Sequence, residues 1–125
     1  MAIASKPQSA ELSAFTERLR QVGDEARKLL AQVADLAYSE SKPERETDTA
    51  YVPEILESCG LDVDHMYELV RELREAKLIS VENQYPFEKV KLELPEAVKR
   101  LRDSAKGQKV SLREFLVKAD FNALQ

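Results

Sequence analysis

One cysteine, one histidine, three glycines and no tryptophan stand among 125 residues, and each scarcity removes a class of protein. A single thiol, Cys59, closes no internal disulfide, which fits a reducing compartment and leaves only a covalent dimer as an oxidised form. His65 and Cys59, with no second histidine or cysteine, cannot build a metal site of the Cys/His type. There is no Gly-rich phosphate loop, no nucleophile motif and no assembled acid–base set, so neither an enzyme nor a cofactor is expected. No apolar run approaches the roughly 18–20 residues of a membrane span, and Met1–Lys6 lacks the charged start and apolar stretch of a secretion signal. A cytoplasmic chain with no membrane partner is expected.

What remains is a chain that is 43% hydrophobic and 34% charged, enough for one domain over residues 1–125 with a continuous core. The formal charge of −4 is unevenly spread. Residues 1–60 carry seven Lys/Arg against eleven Asp/Glu, residues 61–94 five against eight, and residues 95–125 seven against four. An anionic partner would therefore meet the last quarter first, at Lys99, Arg100, Arg102, Lys106, Lys109 and Arg113.

Leu12, Phe15, Leu19, Val22, Ala26, Leu29, Val33 and Leu36 recur at intervals of three and four, an amphipathic helical stripe. Gly23 followed by Asp24 divides it into two expected helices, 9–22 capped by Ser9 and 24–40 capped by Asp24. The stripe serves either as core or as a homodimer interface through Leu12, Phe15, Leu19 and Val22. Residues 41–49 (SKPERETDT), without an apolar side chain, read as an exposed connector. A helix follows with Pro53 in its first turn and Gly60 at its left-handed end. Asp62 caps the next, whose Met66, Leu69, Val70 and Leu73 keep helical spacing to about Lys77.

Residues 78–82 (LISVE) and 87–94 (FEKVKLEL) read as two strands joined by a turn over 83–86. In the second, Val90, Leu92 and Leu94 alternate with outward Lys89, Lys91 and Glu93. Pro95 opens a helix that Gly107 ends, and the pair Ser111 and Glu114 forms a capping box for a last helix through Leu112, Phe115, Leu116 and Ala119. The expected fold is mainly α with a two-stranded antiparallel hairpin.

From Val52 to Ile79 the run VPEILESCGLDVDHMYELVRELREAKLI, with the hairpin after it, resembles the winged helix-turn-helix superfamily of bacterial and archaeal regulators. Its layout, with N-terminal helices over 9–40, the core over 50–94 and basic helices over 95–125, is most similar to regulators of the multiple-antibiotic-resistance type. The resemblance implies a dimeric transcriptional regulator whose second core helix enters the major groove of duplex DNA. On this sequence the implied contacts are His65, Tyr67 and Arg71 on that helix, and Gln84, Tyr85, Lys89 and Lys91 on the wing. Lys99 and Arg100 are further phosphate contacts. Three features depart from the family pattern: Asp64 and Glu68 stand where donors to phosphate are usual, and Lys77 replaces a common glycine. Arg71 can pair with Glu68 and Glu75 to make a self-neutralising, solvated face. A winged helix repurposed for protein contacts is the alternative implied by those carboxylates.

Overall fold

Six helices and three short strands account for residues 7–38, 48–84 and 87–118, the parts of the chain that the computed structural model describes. Two helices come first, α1 (Pro7–Leu19) and α2 (Asp24–Ala37). The core elements are β1 (Thr49–Tyr51), α3 (Val52–Cys59), α4 (Val63–Glu75), β2 (Ile79–Gln84) and β3 (Phe87–Leu92). The described residues close with α5 (Pro95–Gly107) and α6 (Leu112–Lys118), and Ala119, expected in this last helix, lies outside them.

The break between α1 and α2 falls at Gly23, as its low helix propensity dictates. Gly23 itself occupies the N-cap position and Asp24 is the first helical residue, which corrects the capping role expected of Asp24. The Gly23 N–H donates to Glu72 Oε2 at 2.8 Å, so α4 supplies the missing cap to α2. At the other end α1 begins at Pro7, placing Ser9 inside the helix rather than at its cap.

The apolar stripe is core. Leu12, Phe15, Leu19 and Val22 are 4%, 1%, 0% and 5% exposed within one chain, so they are not available as the homodimer interface expected of them. What covers them is tertiary: α1 packs on α5, and Glu11 Oε2 accepts the Ala97 N–H at 2.7 Å. Helix α2 is the central member, touching α3, α4, α6 and β1, and it buries Ala26, Leu29, Leu30, Val33 and Ala34.

The sheet has three strands in the order β1-β3-β2, all antiparallel, where two were expected. Thr49, placed by its polar neighbours in the exposed connector, is 1% exposed in β1 and pairs with Lys91. Residues 41–47 of that connector lie outside the described residues. Val90 sits centrally, in register with Ala50 and Val81, and Ala50, Ile79, Val90 and Leu92 turn their buried side chains to the helices.

Local signals place most helix ends. Pro53 lies in the first turn of α3, Gly60 adopts the left-handed conformation at φ 72°, and Asp62 Oδ1 accepts the His65 N–H at 2.8 Å to start α4. Helix α4 ends in a Schellman motif: Leu78 N–H donates to Leu73 O and Lys77 N–H to Arg74 O, each at 3.0 Å. Lys77 takes the left-handed position at φ 62°, so it fills the role usual for glycine without being one. Helix α5 ends the same way. Val110 N–H reaches Ala105 O with Lys109 at φ 60°, and Gly107, the expected terminator, is its last helical residue. A left-handed lysine carries a Cβ cost that glycine lacks. Lys77→Gly is therefore expected to raise unfolding stability by roughly 0.5–1 kcal/mol after the entropy of the unfolded chain is counted, measurable as a higher urea midpoint at unchanged m.

Candidate functional site

With 3.6 residues per turn, α4 presents four distinct sides. Met66, Leu69, Val70 and Leu73 are buried. Asp64, Glu68, Arg71 and Glu75 form the opposite, exposed stripe. His65 and Glu72 lie toward α2, where His65 Nε2 is 3.4 Å from Glu25 Oε2 and Glu72 caps Gly23. Tyr67 lies toward the hairpin and donates its hydroxyl proton to the Glu88 carboxylate.

These positions redistribute the residues expected to meet DNA. Arg71 is exposed on the outward stripe, as expected. His65 and Tyr67 are instead half-buried side contacts that fix α4 between α2 and β3. On the hairpin Lys91 is exposed, but Lys89 is only 4% exposed, which corrects its assignment as an outward wing cation. Lys89 shares the outer face of the central strand, in register with Tyr51 on one side and Glu82 on the other. Strand alternation places both lysines on that face, and only the flanking strands decide which of them stays open. The side chain of Gln84 and all of Tyr85 lie outside the described residues.

Seven carboxylates and two arginines occupy the sequence from Val52 to Ala76. Among the described residues, Arg71 closes no ion pair with Glu68 or Glu75. The stripe carries three carboxylates to one arginine, which at its spacing stands one turn from Glu68 and Glu75 without a direct contact.

The hydrogen bond from Tyr67 to Glu88, followed by burial and the Glu88 charge, raises the Tyr67 pKa from 10.0 to about 12. In the window between those values the unfolded chain releases this proton while the folded chain keeps it, so stability falls as pH rises through it. Tyr38 contributes with the same sign, because burial and its hydrogen bond to Asp48 push its pKa up as well. The expected result is a fall in urea midpoint between pH 10 and about pH 12 that is smaller in Tyr67→Phe, which retains Tyr38 but lacks the Tyr67 proton.

The basic end is organised around Tyr38. Its hydroxyl donates to Asp48 Oδ1 at 2.8 Å, while Lys99 Nζ and Arg102 Cζ lie 5.5 and 5.7 Å from its ring centre. Lys99 also stands 3.6 Å from Glu96 and 3.9 Å from Asp48, and Arg102 Nε stands 3.5 Å from Asp35. This cluster ties the end of α2 to β1 and α5, and no local motif announces it, because its members lie up to 67 positions apart. Lys99 is therefore engaged within the chain, whereas Arg100, Lys106 and Lys109 are exposed. Arg100 and Lys99 line an open groove of about 590 Å³ together with the carboxylates of Glu96 and Asp103, which offset their charge.

A second cavity, of about 230 Å³, opens where α2, the α3–α4 turn and α6 meet. Leu29, Cys59 and Leu61 give it apolar surface, and Glu25, Lys28 and Gln32 of α2 with Arg113 of α6 complete its lining. Arg113 donates to Gln32 Oε1 at 2.8 Å. Cys59 is half-buried against the core, with its thiol 3.7 Å from Leu56 O, and lines this cavity. Among the described residues, no cluster of His, Cys, Asp and Glu could hold a metal ion, and no helix is long and apolar enough to cross a membrane.

Comparison with protein-family models, with curated proteins and with solved structures finds no match to this chain.

Proposed function

We propose that the chain is a winged helix-turn-helix domain that acts through protein contacts made by α4, in the cytoplasm and without enzymatic chemistry of its own. The element order α2, β1, α3, α4, β2, β3 and the β1-β3-β2 sheet support the winged-helix class. One observation carries the choice of partner: the outward stripe of α4 holds Asp64, Glu68 and Glu75 against Arg71, and Arg74 is the one other exposed cation of the helix. Phosphate oxygens require donors, and a stripe in which carboxylates outnumber cations repels both strands of a duplex.

The rival function, a regulator that binds duplex DNA, is favoured by exposed Arg71, Lys91 and Arg100. A dimer serving it would need a face other than the buried α1 stripe. Fluorescence anisotropy with a labelled mixed-sequence duplex at low ionic strength separates the two. No binding at micromolar protein is expected, and a binding curve that weakens steeply with added salt would overturn the protein-contact function.

A further inference from the structure

The acidic stripe and the cavity beside Cys59 adjoin the same end of α4. Leu61, which lines the cavity, immediately precedes the Asp62 cap, and Glu25, also in the lining, reaches His65 in the first turn of α4. On the hairpin side of that same turn stands Val63, 45% exposed. The recess, with Leu29, Cys59 and Leu61 in its lining, and the row Asp64, Glu68 and Glu75 thus adjoin at the N-terminal end of α4, while Val63 stands on the opposite flank of the helix.

We propose that this surface docks a cationic amphipathic helix from a partner protein, with one of the partner's apolar side chains in the Leu29/Cys59/Leu61 recess and its Lys/Arg residues along Asp64, Glu68 and Glu75. The proposal rests on the protein-contact function and names the chemistry of the partner. Charge complementarity selects a cationic segment: the stripe is acidic, and opposite charge steers encounter while excluding acidic competitors. The recess selects an amphipathic one, because hydrophobic burial supplies the attraction that salt-screened surface pairs lack. Length follows from α4, whose 13 residues span roughly 20 Å, the reach of a helix of similar size.

Lys28 and Arg113 determine its direction. They stand on the α2 and α6 walls of the recess, where they favour the C-terminal end of the docking helix with its negative dipole and free carbonyls. The cationic residues N-terminal to that end then run outward along α4. This is a helix laid along a groove, read at intervals of three and four residues.

Cys59 gives a site-specific readout, since it is the only cysteine of the chain and lines the recess. The probe is a synthetic 14-residue peptide of leucines and lysines at helical spacing, titrated against the full chain while the rate of Cys59 reaction with a small aromatic disulfide is followed. The expected result is saturable slowing, at least roughly tenfold at full occupancy, with no slowing by the same peptide carrying glutamate for lysine. Glu68→Lys with Glu75→Lys is expected to weaken binding roughly tenfold or more, as is Leu61→Ala, with circular dichroism confirming that both variants fold. Unchanged Cys59 reactivity, or equal affinity for the charge-reversed variant, would overturn the proposal. The duplex titration distinguishes the two levels: silence toward both peptide and duplex removes the cationic partner and leaves the protein-contact function standing, whereas salt-sensitive duplex binding removes both.

Discussion

Replacing Phe15 with alanine is expected to cost about 3–5 kcal/mol of unfolding free energy, a large share of the roughly 5–15 kcal/mol typical of a domain. Phe15 is 1% exposed, and it belongs to the row Leu12, Phe15, Leu19 and Val22 that lies buried within a single chain. Truncation to alanine removes the aromatic ring and leaves a void that rigid helices close only in part. Urea denaturation at two widely separated protein concentrations checks both the size of the loss and its origin. A core role gives the same midpoint at each concentration, while an interface between subunits would make the midpoint climb with concentration. A Phe15→Ala protein that unfolds within 1 kcal/mol of the parent would contradict the burial of α1.

Changing Asp64 and Glu68 together to lysine is expected to strengthen duplex-DNA affinity at low salt by at least roughly tenfold over the parent, for which no binding at micromolar protein is expected. Both side chains are exposed on the outward side of α4, so the exchange leaves the buried Met66, Leu69, Val70 and Leu73 untouched. Two repulsive carboxylates become two donors on the outward side of α4, and each new phosphate contact should steepen the salt dependence by about one unit of slope. Folding is expected to be near parental, because surface exchanges of this kind usually stay within about 0.5 kcal/mol. Continued silence toward DNA in a folded variant would mean that something beyond the charge of α4, such as the angle of the hairpin, forbids docking.

These expectations rest on elements that were legible in the sequence to different degrees. Helix α4 was legible throughout. Its cap Asp62, its apolar positions and its exit near Lys77 depend on neighbours three or four residues away, and the structure places each of them as the spacing demands. Pro53 and Gly60 marked the two ends of α3 for the same local reason. Strand β1 was not legible. Three residues are too few for alternation to register, and Thr49 followed a run of polar residues, so only its pairing with Lys91 on β3 defines it.

The candidate site divides along the same line. That α4 carries an outward row of Asp64, Glu68, Arg71 and Glu75 follows from helical period alone, and the structure exposes all four. The fates of Lys89, His65 and Tyr67 do not follow from period. Strand alternation treats Lys89 and Lys91 as equivalent, and it is the flanking Tyr51 and Glu82 that distinguish the environment of Lys89. Helical period leaves His65 and Tyr67 on the shoulders of α4, where Glu25 and Glu88, remote in sequence, engage them.

By itself the amino-acid order determined where helices start and stop, which side of each is apolar, and where positive and negative charge collect, because capping, periodicity and charge are set within a few residues. Tertiary structure alone decided that the α1 stripe is interior, that a third strand joins the hairpin, that Lys89 is enclosed, and that an apolar recess opens beside Cys59. Each of those outcomes is a contact between segments far apart along the chain, whose meeting depends on how every other element packs.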